Sequence, residues 1–455
     1  MILDYSDTIC ALSTANGIGA IAVIRVSGKN TFPIVSAIFS KDISSKKTHT
    51  AHFGTIKEGN KIIDEVLVNV FINPQSFTGE DTVEIGCHGS VYVQQKILQL
   101  LLKNGARMAK AGEFSMRAFA NGKFDLSQAE AISDLISSSN EASHKLAMQQ
   151  MRGGFSKEID DLREELINFA SLIELELDFS EEDVEFADRT QLNELLTRIE
   201  GKLKSLTDSF SYGNAIKNGI PIAIIGRPNA GKSTLLNSIL KEERAIVSEI
   251  AGTTRDTIEE KIIIEGIEFR FIDTAGLRET EDEIEKIGVK RALEQLEKST
   301  IYIYLFDSNQ MNMIELKQDL KELDDSVTRI IVANKTDLIS EEKLQEYKDF
   351  GIEILFISAK ETDSLENLKQ KLVSEMEKQT ISQNDIIVTN LRHFEALSQA
   401  HDAIIQVKNG LENNISGDFL AIDIRQSLHF LGEITGQVST DELLGNIFGK
   451  FCIGK

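Results

Sequence analysis

The feature that most constrains the fold of this 455-residue chain is a glycine-rich segment that lies between an apolar run and a helical run. Residues 226–233, GRPNAGKS, fit the phosphate-loop pattern G-x-x-x-x-G-K-[ST]. The apolar run at 221–225 predicts a buried strand, and residues 234–240 predict a helix. In such a loop the backbone N–H groups point inward at phosphates, and the helix N-terminus adds its positive dipole end. Strand and helix patterns alternate up to about residue 378, which predicts an α/β domain.

The side chains of this loop predict contacts to phosphate and to a metal ion. Lys232 is expected to reach the β- and γ-phosphates, and the Ser233 hydroxyl is expected to ligate Mg²⁺. The neighbouring residues expected to contact the same nucleotide are Asn229, Ala230, Gly231 and Thr234.

Two later segments predict which base is bound. The sequence NKTD follows a buried-strand pattern at 330–333, and its carboxylate can accept hydrogen bonds from guanine N1–H and the 2-amino group, a pair that adenine does not offer. The sequence SAK, after the apolar run at 354–357, has the form of a loop that closes over the base. The sequence therefore predicts GTP rather than ATP as the ligand. The residues concerned are Asn334, Lys335, Asp337, Ser358, Ala359 and Lys360.

A DTAG segment and a threonine pair complete the predicted phosphate and metal site. DTAG follows the strand pattern at 269–272, which places its carboxylate near the metal and its glycine N–H near the γ-phosphate. Thr254, in a GTT sequence with Thr253, supplies a second hydroxyl for Mg²⁺. The DTAG residues are Asp273, Thr274, Ala275 and Gly276.

The residue after DTAG excludes hydrolysis of the Ras type. In Ras-like proteins a glutamine at this place orients the attacking water, and here the position holds Leu277. Hydrolysis must therefore use another residue. The acidic candidates in the next segment, most of which read as solvated helix surface, are Glu279, Glu281, Asp282, Glu283 and Glu285.

Composition places the chain among soluble, multidomain proteins of a reducing cytoplasm. Hydrophobic residues make up 41% and charged residues 27%, and no apolar run is long enough to span a bilayer. The N-terminal sequence MILDYSDTIC lacks the basic region of a signal peptide, and the three cysteines lie far apart. A net charge of −23 disfavours general binding of polyanions, so any RNA contact requires a local patch or a partner's surface.

Outside the α/β segment the chain predicts an α+β region and two helical regions. Residues 1–120 mix strand patterns with helices, and a hairpin is predicted with its turn at Glu58-Gly59-Asn60. Asp125 and Gln128 have capping-box spacing. Residues 141–178 read as one long helix, interrupted at most near Gly153. The acidic stretch 174–188 reads as a solvated turn between helices. The simplest architecture is an α/β domain inserted into a helical domain built from both flanks.

These motifs, together with stretches outside the α/β segment, resemble the MnmE (TrmE) family of tRNA modification GTPases along the whole chain. The resemblance rests on GRPNAGKST, IAGTTRD, DTAGLRE, the more specific VIRVSG, FTGEDTVEIGCHG and GKFDLSQAEAISDLI, and CIGK at 452–455. It implies a multidomain protein with an N-terminal α+β folate-binding and dimerisation domain at 1–120, an all-α helical domain at 121–218 and 379–455, and an inserted α/β P-loop G domain at 219–378.

The resemblance also implies partners and chemistry. The family acts with a flavoprotein, MnmG, which carries FAD, to add aminomethyl or carboxymethylaminomethyl groups at C5 of the wobble uridine of certain tRNAs. A homodimer, a heterotetramer with MnmG and a tetrahydrofolate derivative (5-formyl or methylene) as one-carbon donor are implied. The implied folate contacts are Arg25, Glu84, Lys123 and Lys455, each of which alone could be an ordinary surface charge.

For hydrolysis the resemblance implies G domains that dimerise across their switch regions with GTP and K⁺ bound. Glu285 then positions the water, while Arg278 and Arg255 stay open as alternative charge donors. Cys452 is implied to act as a nucleophile or acid in the modification, helped by nearby Lys455, although a small packing residue is the alternative. The implied K⁺ ligands are Asn229, Ser248, Ile250 and Thr253, and Ser248 and Thr253 also count among the implied nucleotide contacts.

Two other functions stay open from the sequence. A regulatory or ribosome-assembly GTPase switch shares the G-domain motifs but needs neither the N-terminal stretches nor CIGK. A folate-dependent transferase with a regulatory G domain needs no RNA target. Analysis of tRNA separates both from the leading interpretation.

Overall fold

The structure, a computed structural model, divides the chain into two compact units. It describes residues 6–178, 189–243, 260–272, 299–321, 323, 327–349, 351–378, 386–413 and 415–454. The first unit comprises Met1–Ile136, Met148–Leu196 and Asp402–Lys455. The second comprises Ser137–Ala147 and Thr197–His401. The domain limits given above at residues 120, 218 and 378 stay a prediction.

The N-terminal α+β region is built on a six-stranded sheet of order β3-β4-β5-β2-β1-β6, antiparallel except for the β1–β6 pair. The predicted hairpin is confirmed as β3–β4, with Gly59 at φ +58° in its turn. The short strands β1 and β6, of which β6 is at the edge, were not predicted. The strands are β1 Ile9–Leu12, β2 Ile21–Ser27, β3 Thr50–Glu58, β4 Lys61–Phe71, β5 Thr82–His88 and β6 Arg107–Met108, and the helices are α1 Thr31–Ser36, α2 Val91–Lys103 and α3 Glu113–Ala120.

Two stretches of helices follow and precede the α/β segment in the sequence. The predicted capping box is confirmed at the start of α4, because the Gln128 N–H donates to Asp125 Oδ1 at 2.9 Å and the Asp125 N–H donates to Gln128 Oε1 at 3.0 Å. The helices are α4 Leu126–Ser137, α5 Glu141–Met151, α6 Gly154–Asp178, α7 Arg189–Asp208, α8 Phe210–Asn218, α13 Leu391–Glu412, α14 Gly417–Thr435 and α15 Asp441–Phe448.

The helix predicted for 141–178 is confirmed with its break, and the turn predicted for the acidic stretch that overlaps its end needs one correction. The break near Gly153 is present, with that residue at φ +83° between α5 and α6. The acidic stretch 174–188, however, does not begin as a turn, because α6 continues through Asp178. Its first residues, Glu-Leu-Glu-Leu, are strong helix formers, in agreement with the helix predicted to run to residue 178. Residues 179–188 lie outside the described residues.

The α/β segment forms a second six-stranded sheet of order β12-β11-β10-β7-β9-β8, parallel except for the β8–β9 pair. All seven residues of β10, IYIYLFD, are buried, as expected for a strand covered on both faces. The strands are β7 Ile220–Ile225, β8 Glu260–Ile264, β9 Ile267–Phe271, β10 Ile301–Asp307, β11 Thr328–Asn334 and β12 Leu355–Phe356, and the helices are α9 Lys232–Glu243, α10 Met313–Lys321, α11 Glu341–Lys348 and α12 Thr362–Lys378.

Candidate functional site

The phosphate loop connects the carboxyl end of β7 to the start of α9, as its motif predicts. Gly226 has φ +148°, and a Cβ there would lie 2.0 Å from the Leu305 carbonyl oxygen. Gly231 has φ +97°, and a Cβ there would lie 2.3 Å from Asn334 Nδ2. Both glycines are therefore required by backbone conformation and by close packing at once. Asn229 also has a positive φ of +62° and is exposed.

The Lys232 ammonium lies over this loop. Its Nζ donates to the Gly226 carbonyl at 2.7 Å and to the Arg227 carbonyl at 3.0 Å. Burial lowers the pKa of Lys232, since it disfavours the charged form. Ser233 and Thr234, in the first turn of α9, are exposed. The Lys232 ammonium therefore lies against the phosphate loop, next to the N-terminus of α9.

Asn334, at the end of β11, joins the phosphate loop to the 358–360 loop. Its side chain is 2% exposed. Nδ2 donates to the Ala230 carbonyl at 2.8 Å, and Oδ1 accepts from the Ala359 N–H at 3.0 Å. Ser238, on α9, donates to the Ala359 carbonyl at 2.7 Å. One buried amide therefore fixes the distance between two loops that the sequence assigns to phosphate and base.

The next residues of the NKTD segment face the same region. Lys335 adopts φ +64°, and its Nζ donates to the Asn229 carbonyl at 2.9 Å and pairs with Asp307 Oδ2 at 2.7 Å. Asp337 is exposed in the one-turn 3₁₀ helix Thr336–Leu338, and Lys360 is exposed as well. The loops after β7, β11 and β12 therefore converge at the carboxyl ends of parallel strands, where open α/β sheets bind ligands.

Several predicted site residues lie outside the described part of the chain. They are Ser248, Ile250, Thr253, Thr254, Asp273, Thr274, Ala275, Gly276, Leu277, Glu285 and Lys455, with the alternative charge donors Arg255 and Arg278.

In the first unit, Arg25 on β2 and Glu84 on β5 are directly opposite each other. Arg25 Nε and Nη2 donate to Glu84 Oε1 at 3.0 and 2.8 Å. The guanidinium carbon lies 4.9 Å from the ring centroid of Phe77 and 5.6 Å from that of Phe114. Two aromatic faces thus hold this cation in place beside a carboxylate.

Lys123, in the segment after α3, contacts the connection between β4 and β5. Its Nζ donates to the Pro74 carbonyl at 2.9 Å, and a Cβ on Gly79 would lie 3.3 Å from Lys123 Cδ. Phe124 packs on Phe77 with ring centroids 6.0 Å apart. The connection between β4 and β5 therefore contacts Lys123 through Pro74 and Arg25 through Phe77.

The segment 452–454 lies against the end of β1. Ile453 forms an isolated β-bridge with Ala111, and Ser13 Oγ donates to the Gly454 carbonyl at 3.1 Å. Gly454 has φ +99°, and a Cβ there would lie 2.2 Å from the Leu12 carbonyl oxygen. Cys452 is exposed. Because β1 pairs with β2, residues 452–454 contact the end of the strand that neighbours the one carrying Arg25.

Two regions of the chain match known family models. The model described as GTP-binding protein TrmE N-terminus matches residues 8–123. The model described as MnmE helical domain matches residues 126–452, more than half of the chain. The chain belongs to the MnmE family.

Relatives of this family cover the chain from end to end. The tRNA modification GTPase MnmE of Flavobacterium psychrophilum is 58% identical over 99% of this chain and 100% of its own length. Those of Cytophaga hutchinsonii and Bacteroides thetaiotaomicron are 56% and 53% identical, with at least 99% of each protein covered. The N-terminal and helical architecture predicted from the sequence is thereby confirmed.

The sequence alone missed a buried charge cluster in the N-terminal domain of this family member. Arg117 on α3 is fully buried and pairs with Asp7 at 2.5 Å, Glu113 at 3.1 Å and Glu80 at 3.2 Å. Burying a guanidinium requires such partners. Only the i, i+4 spacing of Glu113 and Arg117 was visible in the sequence. Further contacts that the sequence did not show include those of Asp307, Ser238 and Ser364 in the second unit.

Among the residues that the structure describes, no helix combines the length and the apolar character needed to cross a bilayer.

Proposed function

We propose that this chain binds and hydrolyses GTP and that its hydrolysis serves the modification of tRNA. The observation that carries the proposal is the buried Asn334 amide, which ties the phosphate loop to the 358–360 loop and so supports one continuous site for phosphate and guanine. The named relatives are tRNA modification GTPases. We further propose the inserted arrangement, with the G domain at 219–378 between the two helical segments.

The roles proposed for the described nucleotide residues follow from their placement. Lys232, held over the loop by the Gly226 and Arg227 carbonyls, offers its ammonium to the β- and γ-phosphate oxygens. Asp337 accepts from the guanine edge, and Lys335 holds the loop through Asn229 and Asp307. Ser233, exposed at the start of α9, fits a Mg²⁺ ligand, with Thr254 as the second. A bound ion would neutralise phosphate charge.

We propose Asn229 as the K⁺ ligand, together with oxygens of Ser248, Ile250 and Thr253, and Glu285 as the residue that positions water in a dimer of G domains. The exposed position and positive φ of Asn229 support this role, because they place a side-chain amide at the outer rim of the phosphate loop.

Replacing K⁺ by Na⁺ is expected to lower kcat for GTP hydrolysis about 10-fold, which corresponds to ~1.4 kcal/mol of charge stabilisation lost from the transition state. Phosphate release would be measured in matched chloride salts, with Asn229→Ala beside the wild type. The variant is expected to hydrolyse GTP slowly and equally in both salts. Equal wild-type rates in K⁺ and Na⁺ would remove the proposed cation site.

For the first unit we propose a tetrahydrofolate site formed by Arg25, Glu84, Lys123 and Lys455. The aromatic flanks of Arg25 support binding of a flat, anionic ligand, and the Glu84 carboxylate suits the amino edge of a pterin. The position of Cys452 near β1 supports a role in the same chemistry, carried out with tRNA and the flavoprotein MnmG with its FAD. A homodimer, a heterotetramer with MnmG and a cytoplasmic location complete the proposal.

Nucleoside mass spectrometry of tRNA tests the proposed function. Cells that lack the protein are expected to lose aminomethyl-type groups at C5 of wobble uridines, and the wild-type gene is expected to restore them. Cys452→Ser is expected to leave GTP hydrolysis intact but not to restore the modification. Unchanged wobble uridines in the deletion strain would instead favour a regulatory or ribosome-assembly switch, or a transferase without an RNA target.

A further inference from the structure

Arg227, the second residue of the phosphate-loop sequence, is bound through its side chain to helix α10. Its Nε and Nη2 donate to Asp319 Oδ2 and Oδ1 at 2.7 and 2.8 Å, and its Nη1 donates to Glu315 Oε1 at 2.9 Å. The pair with Asp319 is bidentate, the geometry in which an arginine–carboxylate contact is strongest.

Both carboxylates are held by other groups as well. The Asn312 N–H donates to Glu315 Oε2 at 3.1 Å, and Asn312 Oδ1 accepts from the Glu315 N–H at 2.9 Å, which forms a capping box at the start of α10. The hydroxyl of Tyr304, which is 4% exposed, donates to Asp319. Burial opposes ionisation of Asp319, but hydrogen bonds from Arg227 and Tyr304 outweigh it and hold the pKa of this carboxyl below its usual value.

The charge arrangement makes Arg227 necessary to this helix face. Glu315 and Asp319 are four residues apart on α10, so their like charges face each other and repel. Arg227 pairs with both carboxylates, and its positive charge offsets their repulsion. An isolated exposed ion pair contributes little, but a bidentate contact within a network of fixed groups is the exception.

The backbone of the same residue touches the phosphate-binding lysine. The Arg227 carbonyl accepts from Lys232 Nζ at 3.0 Å, and the adjacent Gly226 carbonyl accepts at 2.7 Å. A movement of Arg227 therefore moves one of the two groups that hold the Lys232 ammonium. Helix α10 is thus connected to Lys232 through the side chain and then the backbone carbonyl of Arg227.

We propose that Arg227 is a positioning residue for Lys232, set by α10, and that it does not donate charge to the γ-phosphate. Its Nε, Nη1 and Nη2 are already engaged by carboxylates. This inference rests on the proposed nucleotide site. It identifies α10, which itself supplies none of the nucleotide motifs, as an element that sets phosphate affinity.

A double-mutant cycle with Arg227→Met and Asp319→Asn tests the proposal in the full-length protein. Each single variant is expected to raise Kd for GDP and KM for GTP about 10-fold with kcat changed less than about 2-fold, because the loss is in binding common to ground and transition states. In the double variant, Kd and KM are expected to equal those of whichever single variant binds nucleotide less tightly. They are not expected to show the product of the two single effects. Lys321→Gln, which removes one exposed charge from the same helix, is the control and is expected to leave both constants unchanged.

Three outcomes overturn the inference. A fall in kcat with Kd for GDP unchanged would make Arg227 a donor to transition-state charge. Multiplicative effects on Kd in the double variant would show that Arg227 and Asp319 act separately. Wild-type Kd and KM in both single variants would show that α10 does not position the Lys232 ammonium. Lys232→Met, measured in parallel, separates the two levels: loss of binding in that variant keeps the nucleotide site whatever Arg227 does, and wild-type binding in it refutes the site itself.

Discussion

Asp337→Asn is expected to lower the affinity for GTP about 1,000-fold and to make xanthosine triphosphate the preferred ligand, because a site built to hydrogen-bond a group rejects an analogue that leaves its own polar groups unpaired. The carboxylate accepts from guanine N1–H and the 2-amino group. An asparagine amide instead accepts from N1–H with its oxygen and donates to the C2 carbonyl of xanthine. Asp337 is exposed in its 3₁₀ turn, so the change leaves the fold intact.

Competition of GTP, XTP and ATP against a fluorescent GDP measures this exchange. Glu342→Gln, an exposed acidic residue in the first turn of α11, is the matched control and is expected to behave as wild type. An Asp337→Asn protein that still prefers GTP over XTP would show that another residue reads the base.

Lys232→Met is expected to lower kcat/KM for GTP hydrolysis about 1,000-fold, or ~4 kcal/mol, since it removes a cation that faces the phosphates inside a partly buried loop. The methionine keeps most of the aliphatic stem, so the loop stays packed. Lys241→Met, an exposed lysine in the last turn of α9, is the control for loss of one positive charge. A Lys232→Met protein with more than a tenth of wild-type kcat/KM would contradict the proposed role.

The lowered pKa of Lys232 adds a pH dependence with two opposite signs. Without nucleotide, burial of the Lys232 ammonium lowers the free energy of unfolding at neutral pH. Between the lowered pKa and the unfolded value the folded protein binds fewer protons than the unfolded chain, so this cost decreases as pH rises through that range. Phosphate binding requires the ammonium form. We therefore expect affinity for GDP to fall with rising pH before the usual range of lysine is reached, and the Lys232→Met protein to lack this dependence in equilibrium titrations.

Much of the second unit could be predicted because its signals are local. A phosphate loop must follow a strand and begin a helix, and β7 and α9 flank it as its sequence requires. The predicted strand before NKTD is confirmed as β11. Asn334 was predicted to contact nucleotide, but its contact with Ala230 across 104 positions appears only in the folded chain.

The errors and omissions have the same physical origin. β1 has only four residues, ICAL, of which three are buried, so it shows no alternation that would identify a strand. Arg227 pairs with Glu315 and Asp319, which lie 88 and 92 positions further along the chain. Ser13 and Gly454 are separated by 441 positions. Long-range ion pairs and single hydrogen bonds leave no pattern in the local sequence. Helices and their caps do, as periodic apolar residues and as characteristic spacings of polar residues.

The contact of residues 452–454 with β1 imposes an order on biosynthesis. Ser13 and Gly454 are 441 residues apart, so the ribosome releases β1 long before its neighbour exists. Domains generally fold as units during synthesis, and until the last residues are made the Leu12 carbonyl lacks its neighbour Gly454. The contact between Ser13 and Gly454 therefore forms only when synthesis reaches CIGK, so a nascent chain that stalls in the helical region lacks both Gly454 and Cys452.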